Sequence, residues 1–185
     1  MAGPVSPSAG SGRSLSVMAD QVNLALLVLR LVFGLFLAYH GYNKFFGGGR
    51  IKGTAGWFGS MGFRNPRLQA YAAACTEVGA GVLLAAGLLT PLAAAGVIAV
   101  MIVAIVSAHW KVGFFIFKEG QGWEYCASIA VAALVIGTIG PGEWSIDHAI
   151  DLHFHGWDGL VVSAAIGIGA AIAQMAAFYR PPRSS

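Results

Sequence analysis

A glutamate, two histidines and a lysine stand inside or at the ends of stretches that are otherwise apolar: His40, Lys44, Glu77 and His109. Imidazole and carboxylate side chains take up and release protons, which suits general acid–base transfer. A charge at the centre of a bilayer costs roughly 2.5–3.5 kcal/mol even on the mildest scale, so charges retained there point to a site. His40 and Lys44 are four positions apart and share one face of a helix. Glu124 and Tyr125 open a later apolar stretch, and Arg30 lies within the first. Plainer readings stand beside the chemical one. Glu77 could pair with His40 or Lys44 to fix helix register, and His109 could sit at an interface beside Trp110. Glu124 could simply complement the positive end of a helix dipole. A bis-histidine haem on His40 and His109 is disfavoured by their different depths.

The elements that must hold these groups follow from composition. The 185 residues are 57% hydrophobic and 10% charged, where soluble domains carry about 25% charge, and the mean hydropathy is +0.71. Five windows are apolar throughout: Leu24–Phe46, Leu68–Thr90, Leu92–Trp110, Tyr125–Gly140 and Trp157–Tyr179. Roughly 17–25 such residues span a bilayer as a helix, which all but the short Tyr125–Gly140 window satisfy. None shows the polar face of a helix in a soluble protein. The fold class is therefore all-α, a polytopic membrane helical bundle. It forms one domain over residues 21–180, with a fifth helix at about 157–179. Residues 1–20, rich in Pro, Gly and Ser, read as a disordered tail and not as a cleaved signal. Residues 181–185 read as a short C-terminal tail.

If five helices alternate, Lys44, Arg50, Lys52, Arg64, Arg67, Lys111, Lys118, Arg180 and Arg183 share one side, against Arg13 alone on the other. The positive-inside rule then predicts a multi-pass protein of the cell membrane with its N-terminus outside and its C-terminus cytoplasmic. Membrane lipids beside these basic residues account for the formal charge of +3 without a nucleic-acid partner. The same threading gathers His40, Lys44, Glu77, His109 and Glu124 at the cytoplasmic side. Small residues around Glu77 (Ala70, Ala74, Ala80 and Gly81) predict close helix packing that buries the carboxylate. Tyr39, Tyr42, Phe46, Tyr71 and Trp123 are expected to rim the cluster. Thr54 is placed to cap a short interfacial helix within Thr54–Phe63, lying over the mouth of the bundle; a plain loop is the competing reading.

On the outer side His148, His153 and His155 are the metal candidates, but their spacing matches no established site and the reading is no metal. Arg30 is expected near the outer leaflet, where Asp147 offers a partner. In the fifth helix Ala165, Gly169 and Ala173 repeat at four-residue spacing, as do Gly167 and Ala171. Such rows suit helix contacts, within the bundle or in a homo-oligomer. Cys75 and Cys126 read as small packing residues. The chain has no CxxC, no CxxCH and no complete GxGxxG in a strand–helix context, so no intrinsic cofactor is evident. Any electron carrier is a diffusible quinone or belongs to a partner.

In chain order, Arg30, His40-Gly41, Lys44-Phe45, Gly53-Thr54-Ala55, Phe58, Gly62 and Glu77 form the first half of a pattern. Gly87-Leu88-Leu89-Thr90, His109, Phe114-Phe115, Glu124-Tyr125, Gly140-Pro141-Gly142 and Asp147 complete it. The pattern resembles the DoxX family of small bacterial and archaeal membrane proteins. That resemblance implies four transmembrane helices, and kinship with the small subunit of quinol-oxidising or thiosulfate:quinone oxidoreductase complexes that names the family. The chain departs from it by a fifth C-terminal helix and a His-rich outer loop. The expectation is an integral membrane subunit of a quinone-linked redox or oxidative-stress system, with redox-enzyme subunits as partners. Glu77, His40 and His109 would handle protons; Lys44, Glu124, Tyr125 and Arg30 would hold a quinone head group. The rivals are a non-catalytic anchor for soluble redox enzymes and a proton-coupled transporter of a small solute.

Overall fold

A computed structural model describes residues 9–181, with side chains from residue 18 onward. Among the described residues the chain is helical without strands. The helices are α1 (Ala9–Phe46), α2 (Arg50–Ser60), α3 (Pro66–Ala86), α4 (Thr90–Ala104), α5 (Glu124–Ile139), α6 (Ile146–Ala149) and α7 (Gly156–Phe178). A π-helical turn, Ile105–His109, continues α4. By length and composition α1, α3, α7 and the joined α4–π helix can each cross a membrane. The apolar α5 is shorter, 16 residues, which at about 1.5 Å per residue gives roughly 24 Å. Trp123 and Tyr125 flank its start. The surface is rich in exposed large apolar side chains, Leu24, Phe36, Val131 and Ile172 among them, as a lipid-facing bundle requires.

Helix boundaries follow from turn chemistry. Asn65 (φ 50°) precedes Pro66, and proline in the first turn costs no hydrogen bond because its N–H would have no partner there. The break between α3 and α4 falls at Gly87–Leu89, both ends in the left-handed region (φ 64° and 49°). It therefore comes earlier than the Leu68–Thr90 window implies, because Thr90 and Pro91 already belong to the first turn of α4. At the other extreme α1 begins at Ala9, inside the stretch read as tail; no proline follows Pro7 until Pro66, so nothing stops the helix from extending. Residues 1–8 and 182–185 of the expected tails lie outside the described residues.

The helix α4 is the axis of the bundle, packed against α3, α5 and α7, with Ala94 and Val97 wholly buried. Helix α7 seats Ser163, Gly167 and Ala171 inward, where Ser163 Oγ donates to the Pro91 carbonyl (3.1 Å) and Gly167 lies against Ile98. Gly167 and Ala171 thus pack within the bundle, whereas Ala165, Gly169 and Ala173 face outward. Helix α1 lies along α3 with backbones in contact: a Cβ placed on Gly34 would come 2.5 Å from the Gly81 carbonyl oxygen. Small residues permit such approach, and dispersion over the close contact holds the helices without help from water.

Threading puts the ends of α1, of the π turn and of α7 at one end of the bundle, with the starts of α3 and α5. At this end Arg64 N–H donates to the Phe178 carbonyl (2.8 Å) and Arg180 N–H to the Gly62 carbonyl (2.9 Å), pinning the α2–α3 turn to the end of α7. At the far end Arg30 has no exposed surface and donates to the carbonyls of Trp144 (2.6 Å) and Ala85 (3.2 Å). Asp147 accepts from Leu89 N–H (2.7 Å), Thr90 N–H (3.0 Å) and the Thr90 hydroxyl (2.7 Å). Arg30 and Asp147 share this end as expected, but among the described residues they form no salt bridge and neither is at the surface. Backbone groups freed by the α3–α4 turn and the loop after α5 claim both side chains first.

Candidate functional site

The close approach of α1 and α3 sets the first contact. With Gly41 against the Ala74 carbonyl, Lys44 one turn on reaches Glu77, Nζ to Oε2 2.5 Å. The Glu77 side chain is 7% exposed and that of Lys44 18%. The other carboxylate oxygen, Oε1, accepts no hydrogen bond among the described residues. That oxygen keeps some accessible surface, so the carboxylate is half-committed without being sealed off; the buried polar side-chain atom lacking a partner among the described residues is Arg30 Nε.

The second contact comes from the π turn. An i→i−5 bond, Trp110 N–H to the Ile105 carbonyl (2.7 Å), inserts an extra residue into the last turn of the helix and rotates the residues beyond it. Such turns recur at functional sites because they re-aim side chains. Here Ser107 donates back to the Val103 carbonyl (2.7 Å) and His109 meets the loop that precedes α5. The loop from Lys111 to Trp123 folds on itself through Gly122 N–H to the Phe115 carbonyl and Glu124 N–H to the Phe114 carbonyl, both 3.0 Å. Gln121, left-handed at φ 58°, aims its carbonyl at the imidazole, 2.7 Å from His109 Nδ1. A carbonyl only accepts, so Nδ1 carries the proton, and in the neutral ring Nε2 is the acceptor.

These groups border a cavity of about 480 Å³, within the range of small-molecule sites. Its walls come from every spanning helix: His40, Lys44 and Leu37 of α1, Glu77 and Thr76 of α3, Met101 of α4, Tyr125 and Cys126 of α5, Gln174 of α7. Trp57 and Phe58 of α2 complete it. The lining is mainly apolar, with the ion pair, His40, His109 and Gln121 supplying most of its polar chemistry. Gln174 Nε2 donates to Gln69 Oε1 (2.8 Å), tying α7 to α3 beside the site. The arrangement can bury an apolar molecule and offer its polar head both donors and acceptors.

Of the residues singled out in the sequence, His40, Lys44, Glu77, His109 and Tyr125 meet at this cavity. Glu124 does not: it is the first residue of α5, and its helical direction turns it from the lining that Tyr125 and Cys126 supply. Arg30 is at the far end. The expected aromatic rim is also corrected. Tyr39, Tyr42 and Phe46 lie on the side of α1 opposite His40 and Lys44, stacking along the lipid-facing surface with Phe45 and Tyr71. Trp123 stacks on Trp110 instead (6.0 Å). The short helix α2 exists and covers the site, but starts at Arg50; Thr54 is internal and donates to the Arg50 carbonyl, so it caps nothing. On the loop after α6 His153 meets Asp151 at 2.8 Å, and no group of three or more metal-ligating side chains gathers among the described residues. Gln121 escaped sequence reading because it acts through its carbonyl, and Gln174 because a lone amide in an apolar helix carries no pattern. Both cysteines are free, Cys75 exposed and Cys126 buried.

The family model described as DoxX matches residues 25–110. That stretch contains His40, Lys44, Glu77 and His109, while Gln121, Tyr125 and the α7 wall lie beyond it. A Bacillus subtilis (strain 168) protein named "Putative oxidoreductase CatD" is 33% identical over 97 residues, covering 52% of this chain and 69% of that protein. No solved structure matches the chain.

Proposed function

Because the chain belongs to the DoxX family, we propose that this multi-pass membrane protein is a subunit of a quinone-linked redox or oxidative-stress system, its cavity receiving a quinone head group. The observation that carries the reading is the half-committed Glu77 carboxylate beside an apolar cavity that also holds an oriented imidazole. A quinone bound there takes two electrons and two protons to become a quinol. Lys44 Nζ can donate a hydrogen bond to one head-group oxygen. Glu77 Oε1 and His109 Nε2 can accept from a hydroxyl, and His40 at the exposed edge can exchange protons with water. Electrons must come from a partner, since the chain carries no haem-attachment motif and no CxxC pair. The basic residues at the cavity end support a cytoplasmic orientation for that end, and with it access to soluble electron donors.

The test is gentle purification in lipid nanodiscs followed by mass spectrometry of the extracted lipids. Wild-type protein is expected to retain quinone, and Glu77→Gln to lose at least nine-tenths of it while unfolding at nearly the same temperature. Stoichiometric soluble enzyme without quinone would favour the anchor instead, and solute uptake by proteoliposomes the transporter.

A further inference from the structure

The helix α2 is an unusual cover for a cavity. It has 11 residues, below the length at which isolated helices hold together in water, and three of them are glycines: Gly53, Gly56 and Gly59. Glycine weakens a helix and is normally retained where a side chain would collide. Here a Cβ at Gly53 or Gly56 would meet nothing within 4 Å. Packing therefore does not require these glycines.

Both flanks fit the same reading. On the N-terminal side three consecutive glycines, Gly47–Gly49, separate α2 from α1, and Arg50 is left-handed at φ 52°, a strained state for a residue with a side chain. Beyond the C-terminal side Gly62 and Arg64 are pinned to Arg180 and Phe178 of the α7 end. One end is glycine-rich and strained, held only by local backbone bonds such as Gly47 N–H to the Asn43 carbonyl (2.8 Å), while the other is tied to α7. Between them the helix rests on Ile51, Ala55 and Phe58 and presents Arg50 and Lys52 outward. Trp57 and Phe58, one helical turn before the pinned end, form part of the cavity wall. We propose that α2 is a lid of deliberately low helical stability, which unwinds from its Gly47–Gly49 end to admit molecules to the cavity. The inference concerns access alone and holds whatever the cavity binds.

Cys126 gives a reporter independent of any ligand: it is buried and lines the cavity. With Cys75→Ala removing the exposed thiol, the rate at which N-ethylmaleimide alkylates Cys126 in nanodiscs reads cavity opening. Replacing Gly53 and Gly56 by alanine favours the helical state by roughly fivefold per site. The double variant is expected to slow labelling by about twentyfold and to slow amide exchange across α2 to a similar degree. Phe58→Ala, which removes the main apolar anchor, is expected to speed both. Unchanged labelling together with slowed α2 exchange would overturn the proposal, since the reagent would then reach the cavity by a route that bypasses α2. So would exchange unaffected by the alanines, since the glycines would then not set the helix's stability.

Discussion

At the far end of the bundle Arg30 is sealed in, its two terminal nitrogens donating to the Ala85 and Trp144 carbonyls while Nε is left without a partner, and Asp147 accepts three hydrogen bonds from the start of α4. At the cavity end Lys44 and Glu77 meet directly, beside open volume, and one carboxylate oxygen is uncommitted. Both ends carry the cost of ionic groups in a membrane protein. At the far end the backbone absorbs nearly all the hydrogen-bonding capacity, so the polar groups act as a clasp between the α3–α4 turn and the loop after α5. At the cavity end the capacity is left over for a guest. The difference is one of access: Glu77 borders open volume, whereas the one buried polar side-chain atom without a partner among the described residues, Arg30 Nε, is sealed away from it.

Removing the clasp should produce the largest effect. Arg30→Met orphans two buried carbonyls, so unfolding in mixed micelles should lose roughly 2–6 kcal/mol, about 1–3 for each. The same measurement on Glu77→Gln should show less than half that loss; equal losses would erase the contrast between the ends. The next effect is on binding. Quinone titrated into Glu77→Gln should bind at least tenfold more weakly, about 1.4 kcal/mol. Lys44→Gln should not add to this in the double variant, because the two side chains act as a unit. Smaller again is Gln174→Leu, which removes the amide bond to Gln69 and should cost about 0.6 kcal/mol, typical of hydrogen bonds between membrane helices. Asp151→Asn on the exposed loop after α6 should leave unfolding unmoved.

Sequence alone resolved the spanning helices and placed His40, Lys44, Glu77 and His109 at one end of the bundle. The windows Leu92–Trp110 and Trp157–Tyr179 fall within two residues of the observed spans, because in lipid the backbone must satisfy itself within a helix and hydrophobic length is the dominant signal. The Lys44–Glu77 meeting was foreshadowed by spacing and by the small residues around Glu77. Other features were not legible. Glu124 and Gln121 are separated by two residues, yet the useful one serves the site through its main chain. Nothing in Ile105–His109 announces a π turn. Arg30 looked interfacial because hydropathy does not record that two carbonyls wait for it. The misplaced rim of Tyr39, Tyr42 and Phe46 was recoverable from helical geometry, since those positions lie away from the face shared by His40 and Lys44.

Helix α7, made after α5, supplies the wall containing Gln174 and leads into the bridge between Phe63 and Tyr179. Roughly forty residues separate the ends of α5 and α7, about 2–8 s of synthesis at roughly 5–20 residues per second. Until α7 is made, the face of α4 that it packs against has no cover from that helix. The chamber is thus closed from the side once α7 docks, and a lipophilic molecule already lying in the groove would be enclosed at that step.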